Sequence, residues 1–452
     1  MVFSGLPDTT KRETRTVAGS AMDIQLKYGR EKVCIRLPDS ARVRVVEPVR
    51  LDPPAAEGLI RKALEHPIDS LRLEEIARGK ERVVLIVSDK TRATATAEFL
   101  PFLLESLASA DVPDRNVTII LATGSHTGHL PEEVDQILGP GIQSRFRVID
   151  HDGENADAHV QVGTTSRGTP LLFQREVVES DCLVLTGVVG FHYFAGFGGG
   201  RKSILPGVAQ KETILANHKL MLVEGNLDEP ICPACANGVL EGNPIHEDMM
   251  EGARVLNPAF LLNTILSPDG RIADVVAGDP WRAYESGVEK VRAFFGVSAE
   301  QKAKLVVASC GGHPKDINFI QVHKSLHHAF ELVAEDGVLL LLGECAQGIG
   351  SKDFSAWFST LDLRSVARRL PREFTINAHT AYVTMRKALS RRILMLTALP
   401  ADKVAAMGMT RVESAAEGIG LAAEALGAID DVMVLPLASV TVPQPKSCSG
   451  GT

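Results

Sequence analysis

Four apolar runs in the first part of the chain each end in a polar residue or a glycine loop. They lie at residues 82–88, 116–123, 146–149 and 181–187. The segments between them have the apolar spacing of amphipathic helices. Strands that are apolar on both faces must be covered on both sides, so this alternation indicates parallel strands between two layers of helices. The pattern predicts a doubly wound α/β fold.

A second block of the same alternation begins near Lys304. Strands are predicted at residues 305–309 and 338–342, with a helix over residues 321–334 between them. The pattern breaks at residues 296–302. We therefore predict two α/β domains with mostly parallel sheets and a cleft between them.

The predicted domains are residues 1–297 and 298–427. The first opens with short strands at residues 24–27 and 33–37, which are joined by a turn at Gly29. The final segment, residues 428–452, contains a strand at residues 431–437 that could return to either domain, the first included. Its tail from Val442 has a disordered composition.

The composition is that of a globular protein without a general attraction for polyanions. Hydrophobic residues make up 45% of the chain, and the formal net charge is −8. A mildly acidic surface excludes nucleic acid and anionic membranes as general partners. Seven cysteines, an odd number, favour a reducing cytoplasm over a disulfide framework. The N-terminus lacks the apolar region of a secretory signal.

Residues 182–200 contain no charged side chain over nineteen positions, which is nearly the length of a membrane span. The segment also contains six glycines and His192. This composition suits a buried strand and loop better than a membrane helix. We therefore predict a soluble protein.

Polar motifs follow three of the predicted strands. They are SDKTR at residues 88–92, ATGSHTGH at residues 122–129, and a glycine-rich loop, GFHYFAGFGGGRKS, at residues 190–203. Ligands of open α/β sheets bind beyond the carboxyl ends of the strands, so these motifs are candidates for one site. The cleft between the two domains is the predicted place for it.

The glycine-rich loop resembles a phosphate cradle without matching the P-loop pattern. That pattern requires glycine directly before Lys-Ser, and Arg201 occupies this position. Backbone amides together with Arg201 and Lys202 still offer an anion site. A nucleotide-dependent transferase is therefore one alternative, and a loop whose lysine faces water is another.

His126 and His192 follow different strands, each beside glycines. Imidazole is the usual group for moving protons at neutral pH, and a racemase needs one such group on each side of a stereocentre. His218 lies sixteen residues after Lys202. Its spacing is compatible with a single metal ligand or with a residue on a helix surface.

Two other motifs carry weaker signals. Cys232 and Cys235 lack the second C-x-x-C of a zinc site and a thioredoxin-like context, so a proline-rich surface loop is predicted. Gln321 and Lys324 are three residues apart on one face of a predicted helix. Neighbouring histidines favour a solvated stripe there, although Lys324 could bind a carboxylate together with Arg92.

Taken together, the motifs resemble the nickel-dependent lactate racemase family. The matching segments are SDKTR, ATGSH, GFHYFAGFGGGRKSILPG, ANH, LEGNPIHEDM and GGHPKDINFIQVHK, in this order between residues 88 and 324. The resemblance implies two α/β domains and a nickel-pincer cofactor, a pyridinium-3,5-bisthiocarboxylic acid mononucleotide. It further implies that Lys202 tethers this cofactor as a thioamide and that His218 binds the nickel.

The resemblance also implies roles for the other candidate residues. These roles are acid/base catalysis for His126 and His192, substrate binding for Arg92, Gln321 and Lys324, and cofactor binding for Asp89, Thr91, Arg201 and Ser203. The implied reaction is a proton-coupled hydride transfer. One histidine takes the hydroxyl proton while C2 gives hydride to the pyridinium ring. The keto acid then rotates, hydride returns to its other face, and the opposite histidine protonates the oxygen.

Three positions depart from the family pattern. Ala93 and His313 stand where proline and an aromatic residue are common, and Trp357 is not clearly equivalent to a tryptophan that some members use. The proposed acid/base residues are unaffected, so the predicted function is a racemase or epimerase of a 2-hydroxy acid, lactate or a related acid. Expected partners are this acid, the cofactor-synthesis proteins and a second copy of the chain. A non-enzymatic carrier of nickel or of the cofactor is the remaining alternative.

Overall fold

The computed structural model describes residues 15–17, 22–49, 51–298 and 302–444. Most of the tail that begins at Val442 therefore lies outside the described residues. Within the described ranges, no helix combines the length and the apolar character needed to cross a bilayer.

The chain divides into two compact units. We call Leu51–Met221 with Cys232–Arg292 the first unit, and Met1–Arg50 with Leu222–Ile231 and Ala293–Thr452 the second unit. Each unit has its own sheet and its own buried core.

The first unit is built on a six-stranded sheet. In spatial order its strands are Ile272–Gly278, Phe260–Leu266, Cys182–Val188, Val83–Ser88, Val117–Ala122 and Arg147–Asp150. Neighbours are parallel except at the edge, where Ile272–Gly278 is antiparallel to Phe260–Leu266. The chain builds the sheet outward from Val83–Ser88 in one direction and then from Cys182–Val188 in the other. The sheet is therefore doubly wound, with its switch point between these two strands.

Helices cover this sheet because their apolar residues recur every three or four positions. Thr96–Ser109, for example, buries Phe99, Leu103 and Leu107 in the core. The α-helices are Ala56–Glu65, Leu73–Ile76, Thr96–Ser109, Pro131–Leu138, Ile142–Arg145, Arg175–Val178, Lys211–Lys219, Pro244–Val255 and Arg282–Phe295. Two small hairpins complete the unit, His159–Thr164 with Pro170–Gln174 and Phe191–His192 with Gly196–Phe197.

The second unit is built on a seven-stranded sheet. In spatial order its strands are Arg15–Val17, Arg42–Val45, Asp431–Leu435, Ala303–Ser309, Val333–Leu342, Arg392–Leu396 and Thr410–Val412. Only the edge pair that includes Arg15–Val17 is antiparallel. The α-helices are Phe319–Phe330, Lys352–Ala356, Leu363–Arg369, Ala378–Ser390, Ala401–Ala406 and Ala415–Leu426.

Two short pairings complete the second unit. The hairpin Met22–Tyr28 with Glu31–Leu37 turns at Gly29, whose positive φ of 54° favours glycine. The predicted opening strands and their turn are thereby confirmed. Gly296–Ser298 pairs in parallel with Val442–Gln444.

The predicted fold class, two doubly wound α/β assemblies with mostly parallel sheets, is confirmed. The prediction that residues 182–200 form a buried strand and loop is confirmed too, since Cys182–Val188 is a buried central strand.

The grouping of segments differs from the predicted domains 1–297 and 298–427. Arg42–Val45 pairs with Asp431–Leu435, which in turn pairs with Ala303–Ser309. The opening strands and the strand of the final segment therefore both lie in the second unit. A local apolar pattern identifies a strand but not its distant partner. From the sequence, the opening strands are therefore placed in the first domain, and only the final strand is left open.

One helix boundary also differs. The helix predicted over residues 321–334 spans Phe319–Phe330, and the strand that follows already begins at Val333. This strand pairs with its neighbour at Val333 and again from Val338, with a register shift between them. The irregular segment contains Gly337, and its polar residues Glu335 and Asp336 hid the strand from the apolar pattern.

Candidate functional site

The three polar motifs of the first unit meet at one edge of its sheet. Val83–Ser88 and Cys182–Val188 are parallel neighbours, and SDKTR and the glycine-rich loop follow their carboxyl ends. ATGSHTGH follows Val117–Ala122, the other neighbour of Val83–Ser88. This edge includes the switch point of the sheet, where open α/β sheets bind their ligands.

Asp89 and His126 form a hydrogen-bonded pair at this edge. The Nδ1 atom of His126 lies 2.7 Å from Oδ2 of Asp89, and the Thr91 hydroxyl donates to Oδ1 of Asp89 over 2.9 Å. The His126 side chain is 42% exposed, whereas that of Asp89 is 2% exposed. A buried carboxylate thus orients a histidine whose other ring nitrogen, Nε2, is left for a ligand.

The hydrogen bonds also set the charge of Asp89. Burial alone would raise the pKa of this carboxyl, but the bonds from His126 and Thr91 and the nearby Arg92 lower its pKa below the usual value. Asp89 is therefore an anion at neutral pH and accepts a hydrogen bond from Nδ1 of His126.

His192 has a different environment in the glycine-rich loop. It lies in the short hairpin Phe191–His192 with Gly196–Phe197, and the amide of Ala195 donates to its Nδ1 atom over 3.3 Å. Its ring stacks on Tyr193 at a centroid distance of 5.3 Å and meets the ring of Phe194 edge-on at 4.5 Å. Because Nδ1 accepts a hydrogen bond, the neutral ring carries its proton on Nε2.

Arg201 is fully buried and binds the loop itself. Its guanidinium donates to the carbonyls of Ala195 (2.7 Å) and Phe197 (2.8 Å) and to the hydroxyl of Tyr284. Gly200 makes room for this arrangement, since a Cβ atom there would lie 2.6 Å from the Tyr284 ring. Loop carbonyls and Tyr284 thus occupy the two terminal nitrogens of this guanidinium, while its Nε atom is buried without a hydrogen-bond partner. The engagement of both terminal nitrogens weakens the nucleotide alternative.

Ser203 also contacts the protein rather than open space. Its hydroxyl donates to the carbonyl of Thr186 over 2.6 Å, which ties the loop to the strand Cys182–Val188. Together with Arg201 it stabilises the loop conformation. The predicted contact of both side chains with a cofactor stays a prediction, and their observed bonds explain the loop without it.

Lys202 is enclosed next to Phe194. Its Nζ atom lies 5.4 Å from the centre of the Phe194 ring. Burial, and to a smaller extent the positive charges of Arg92 and Arg201, lowers the pKa of Lys202 well below its usual value. The lowered pKa favours the neutral, nucleophilic form of the amine, and the side chain is half-buried rather than fully open to water.

His218 approaches the same phenylalanine from the helix Lys211–Lys219. Its ring centroid lies 5.1 Å from that of Phe194, its side chain is buried, and its Nδ1 atom is buried without a hydrogen-bond partner. Burial, and then the neighbouring Lys202, lowers the pKa of His218 to about 3. The helix-surface alternative is thus wrong. We call Lys202, His218 and Phe194 the Lys202 cradle.

Phe194 is the residue that the sequence analysis missed. It contacts His192, His218 and Lys202, and its carbonyl accepts a 2.8 Å hydrogen bond from the buried amide of Asn243. The signal was present as aromatic residues within GFHYFAGF and as the asparagine of LEGNP. Neither residue type carries chemistry of its own, so neither stood out.

The two cysteines lie in a loop, as predicted, and Cys232 is partly exposed, but Cys235 is buried. Cys235 is 8% exposed, and its thiol lies 3.7 Å from Oδ1 of Asn243. Both cysteines are free thiols. Asn243 caps the helix Pro244–Val255 with the same oxygen, so the pair belongs to the packing around that cap.

Gln321 and Lys324 lie in the second unit, on the helix Phe319–Phe330. The Lys324 amine donates to Oε1 of Gln321 over 2.8 Å. The neighbouring His323 and His328 are buried, so the solvated-stripe alternative is wrong. Asn318 caps this helix by accepting the amide of Gln321.

Comparison with known proteins yields matches along most of the chain. The lactate racemase N-terminal domain matches residues 28–228, and the lactate racemase C-terminal domain matches residues 298–442. A protein named lactate racemase from Thermoanaerobacterium thermosaccharolyticum is 32% identical over 432 residues, which cover 92% of this chain and 97% of that protein. One of the same name from Lactiplantibacillus plantarum is 33% identical over 295 residues, 65% of this chain and 68% of that protein.

Solved structures are similar as well. The lactate racemase apoprotein from T. thermosaccharolyticum superposes with a TM-score of 0.85 at 31% identity, covering 94% of this chain and 100% of that one. A Thermotoga maritima protein superposes with a TM-score of 0.63 at 16% identity, covering 88% of this chain and 100% of that one, and so shares the fold alone.

The similarity in sequence and in structure extends over both units. The protein is therefore an enzyme of the racemase class of isomerases. The chain belongs to the lactate racemase family.

Proposed function

We propose that this enzyme racemises or epimerises a 2-hydroxy acid, lactate or a closely related acid, with His126 and His192 as its acid/base pair. The observation that carries the proposal is the contrast between the two Nδ1 atoms. That of His126 contacts the Asp89 carboxylate, and that of His192 accepts the amide of Ala195. The relatives named lactate racemase support lactate as the first acid to test.

The hydrogen bonds suggest how the two histidines divide the proton transfer. The Asp89 carboxylate favours a proton on Nδ1 of His126, which leaves Nε2 as a base for the substrate hydroxyl. The imidazolium that forms is stabilised by the same carboxylate. His192 gives a proton to an oxygen on the opposite side as an imidazolium, and in that state its Nδ1 atom carries a hydrogen and no longer accepts the Ala195 amide. Racemisation then needs each histidine to perform both roles in turn.

We further propose that the Lys202 cradle holds a nickel-pincer pyridinium mononucleotide. Two observations fit this group: the Lys202 amine lies beside Phe194 with a lowered pKa, which suits a covalent tether, and the buried, unpartnered Nδ1 atom of His218 suits a metal ligand. When bound, the cofactor supplies a hydride acceptor for C2 of the substrate and a nickel ion. His218, whose Nδ1 atom is buried without a hydrogen-bond partner, would be the protein's ligand to that ion.

The remaining candidates fit substrate and cofactor binding. The cation Arg92 follows Asp89 at the same sheet edge, and a guanidinium binds a carboxylate in bidentate fashion. We propose that Arg92 binds the substrate carboxylate, and the substrate-binding roles of Gln321 and Lys324 stay predictions of the family resemblance. The main role of Asp89 and Thr91 is to position His126 by the hydrogen bonds described above. Their second role is to border the cofactor.

The test is a panel of single-enantiomer 2-hydroxy acids incubated with cofactor-loaded protein and analysed by chiral chromatography. We expect both enantiomers of one acid to reach the same mixture, and His126→Ala and His192→Ala each to abolish this while retaining the cofactor. Retention of nickel with no acid interconverted would instead indicate a carrier. A normal rate in either single variant would show that the paired-base assignment is wrong.

A further inference from the structure

The motif ATGSHTGH contains a second histidine, His129, which the proposed function does not use. Its side chain is 0% exposed, so it cannot contact a substrate in this conformation. It nevertheless lies three residues after His126 and within the loop that carries it.

His129 connects the ends of three neighbouring strands. Its Nδ1 atom lies 2.8 Å from Oδ1 of Asp150, and its backbone amide donates to Oδ2 of the same carboxylate over 2.6 Å. Its Nε2 atom accepts the backbone amide of Lys90 over 3.1 Å. Asp150 is the last residue of the strand Arg147–Asp150 and so anchors these contacts to the sheet.

The bond to Lys90 lies directly beside the Asp89–His126 bond. Asp89 bonds to His126, and the next residue, Lys90, bonds to His129. Two adjacent hydrogen bonds thus join the same two loops. The Lys90 amine adds a bond to the Gly128 carbonyl at 3.0 Å. Two adjacent bonds between the same two loops fix their relative position far better than one.

We propose that His129 is a positioning residue that holds the Asp89 carboxylate in register with Nδ1 of His126. This inference rests on the proposed role of His126 in proton transfer. Because Nε2 of His129 accepts an amide hydrogen, the imidazole acts here as a neutral acceptor toward Lys90 and as a donor toward Asp150.

Two substitutions separate these two bonds. A glutamine side-chain oxygen reaches about as far as Nε2 of histidine, so His129→Gln retains an acceptor for the Lys90 amide. An asparagine amide reaches only as far as Nδ1, so His129→Asn retains the donor to Asp150 and loses the acceptor. Each variant thus keeps one buried hydrogen bond, which makes them a matched pair for stability.

We expect His129→Asn to lose more activity than His129→Gln. In the cofactor-loaded enzyme, His129→Asn should lower kcat by about tenfold more than His129→Gln, with little difference in KM. In the full chain without cofactor, ¹⁵N side-chain NMR should show the Nδ1–H form of His126 in wild type and in His129→Gln, and a tautomer mixture in His129→Asn.

Equal kcat values and equal His126 spectra in two folded variants would overturn the proposal. If His129→Asn does not fold, hydrogen exchange of the wild-type Lys90 amide decides the question, since an unprotected amide means that the bond to His129 is not formed. The NMR readout needs no turnover. It therefore stays informative even if no 2-hydroxy acid is a substrate and the proposed function fails.

Discussion

The Asp89–His126 pair and the Lys202 cradle lie at the same sheet edge but differ in how their surroundings affect the charge of their ionisable groups. His126 is 42% exposed and bonded to a carboxylate that is held as an anion. Lys202 and His218 pack around an aromatic ring, and burial lowers the pKa of both. A polar partner stabilises the charged form of a histidine, and burial stabilises the neutral forms of a lysine and a histidine.

This difference shows how one sheet edge can support two kinds of chemistry. Proton transfer needs a histidine that gains and loses charge easily, with a carboxylate to stabilise the cation. A covalent tether and a metal ligand need lone pairs that are not occupied by protons. The switch point offers both because the loop after Val83–Ser88 is polar and the loop after Cys182–Val188 is aromatic and rich in glycine.

The largest effect is expected from Lys202→Met, which removes the amine and keeps the volume. Racemisation should be lost completely, and mass spectrometry should find no cofactor attached to the peptide that contains residue 202. The midpoint of thermal unfolding should stay the same or rise, since a lysine whose pKa is lower in the folded than in the unfolded chain costs stability at neutral pH.

The neighbouring Arg201 is the matched control for this substitution. Arg201→Met removes charged donors from the carbonyls of Ala195 and Phe197, and should cost about 3 kcal/mol of unfolding free energy. Adjacent residues would then have opposite effects on stability. The comparison is broken if Lys202→Met destabilises the protein as much as Arg201→Met, or if a Lys202→Met sample still racemises its substrate.

A smaller effect is expected from Asp89→Asn, which keeps the shape of the carboxylate and removes its charge. The histidine then loses the partner that fixes its tautomer and stabilises its cation, so kcat should fall on the order of a hundredfold. Thr91→Val is the control, because it removes only the hydroxyl donor to Asp89 and should cost about tenfold at most. An unchanged kcat in Asp89→Asn would mean that His126 works without this carboxylate.

The smallest effect concerns acid stability and His151, which is buried against Thr123 and His159. Burial, and then His159, lowers the pKa of His151 to about 3. The unfolded chain takes up a proton near pH 6.5 and the folded chain does not, so stability falls as pH falls from about 6.5 to 3.

His151→Gln should reduce this decline by up to about 1.4 kcal/mol per pH unit, measured by urea unfolding between pH 6.5 and 4. The exposed His66 is the control, since the same substitution there should leave the slope unchanged. If the unfolding free energy depends on pH in the same way in His151→Gln and wild type, burial does not control the charge of His151. The contrast between buried histidines and the exposed, carboxylate-bonded His126 would then lose its physical basis.

The sequence was sufficient for the fold class and for the strand ends at which the candidate residues lie. Apolar runs that end in Asp89, Gly124 and Gly190 marked parallel strands and their functional ends, because burial on both faces leaves a pattern that local inspection detects. It could not predict that Arg42–Val45 and Asp431–Leu435 share a sheet with Ala303–Ser309, since hydrogen bonds between distant strands leave no local signal.

By itself, the order of residues decided which side chains stand at the ends of strands, and so which histidines, lysines and arginines were candidates. Only the tertiary structure decided what each of them does, as the neighbours Arg201 and Lys202 show. Both are basic residues in the same turn, yet one satisfies loop carbonyls and the other lies beside Phe194. The charge and reactivity of an ionisable group depend on burial and on partners brought from other segments, and these exist only in the folded chain.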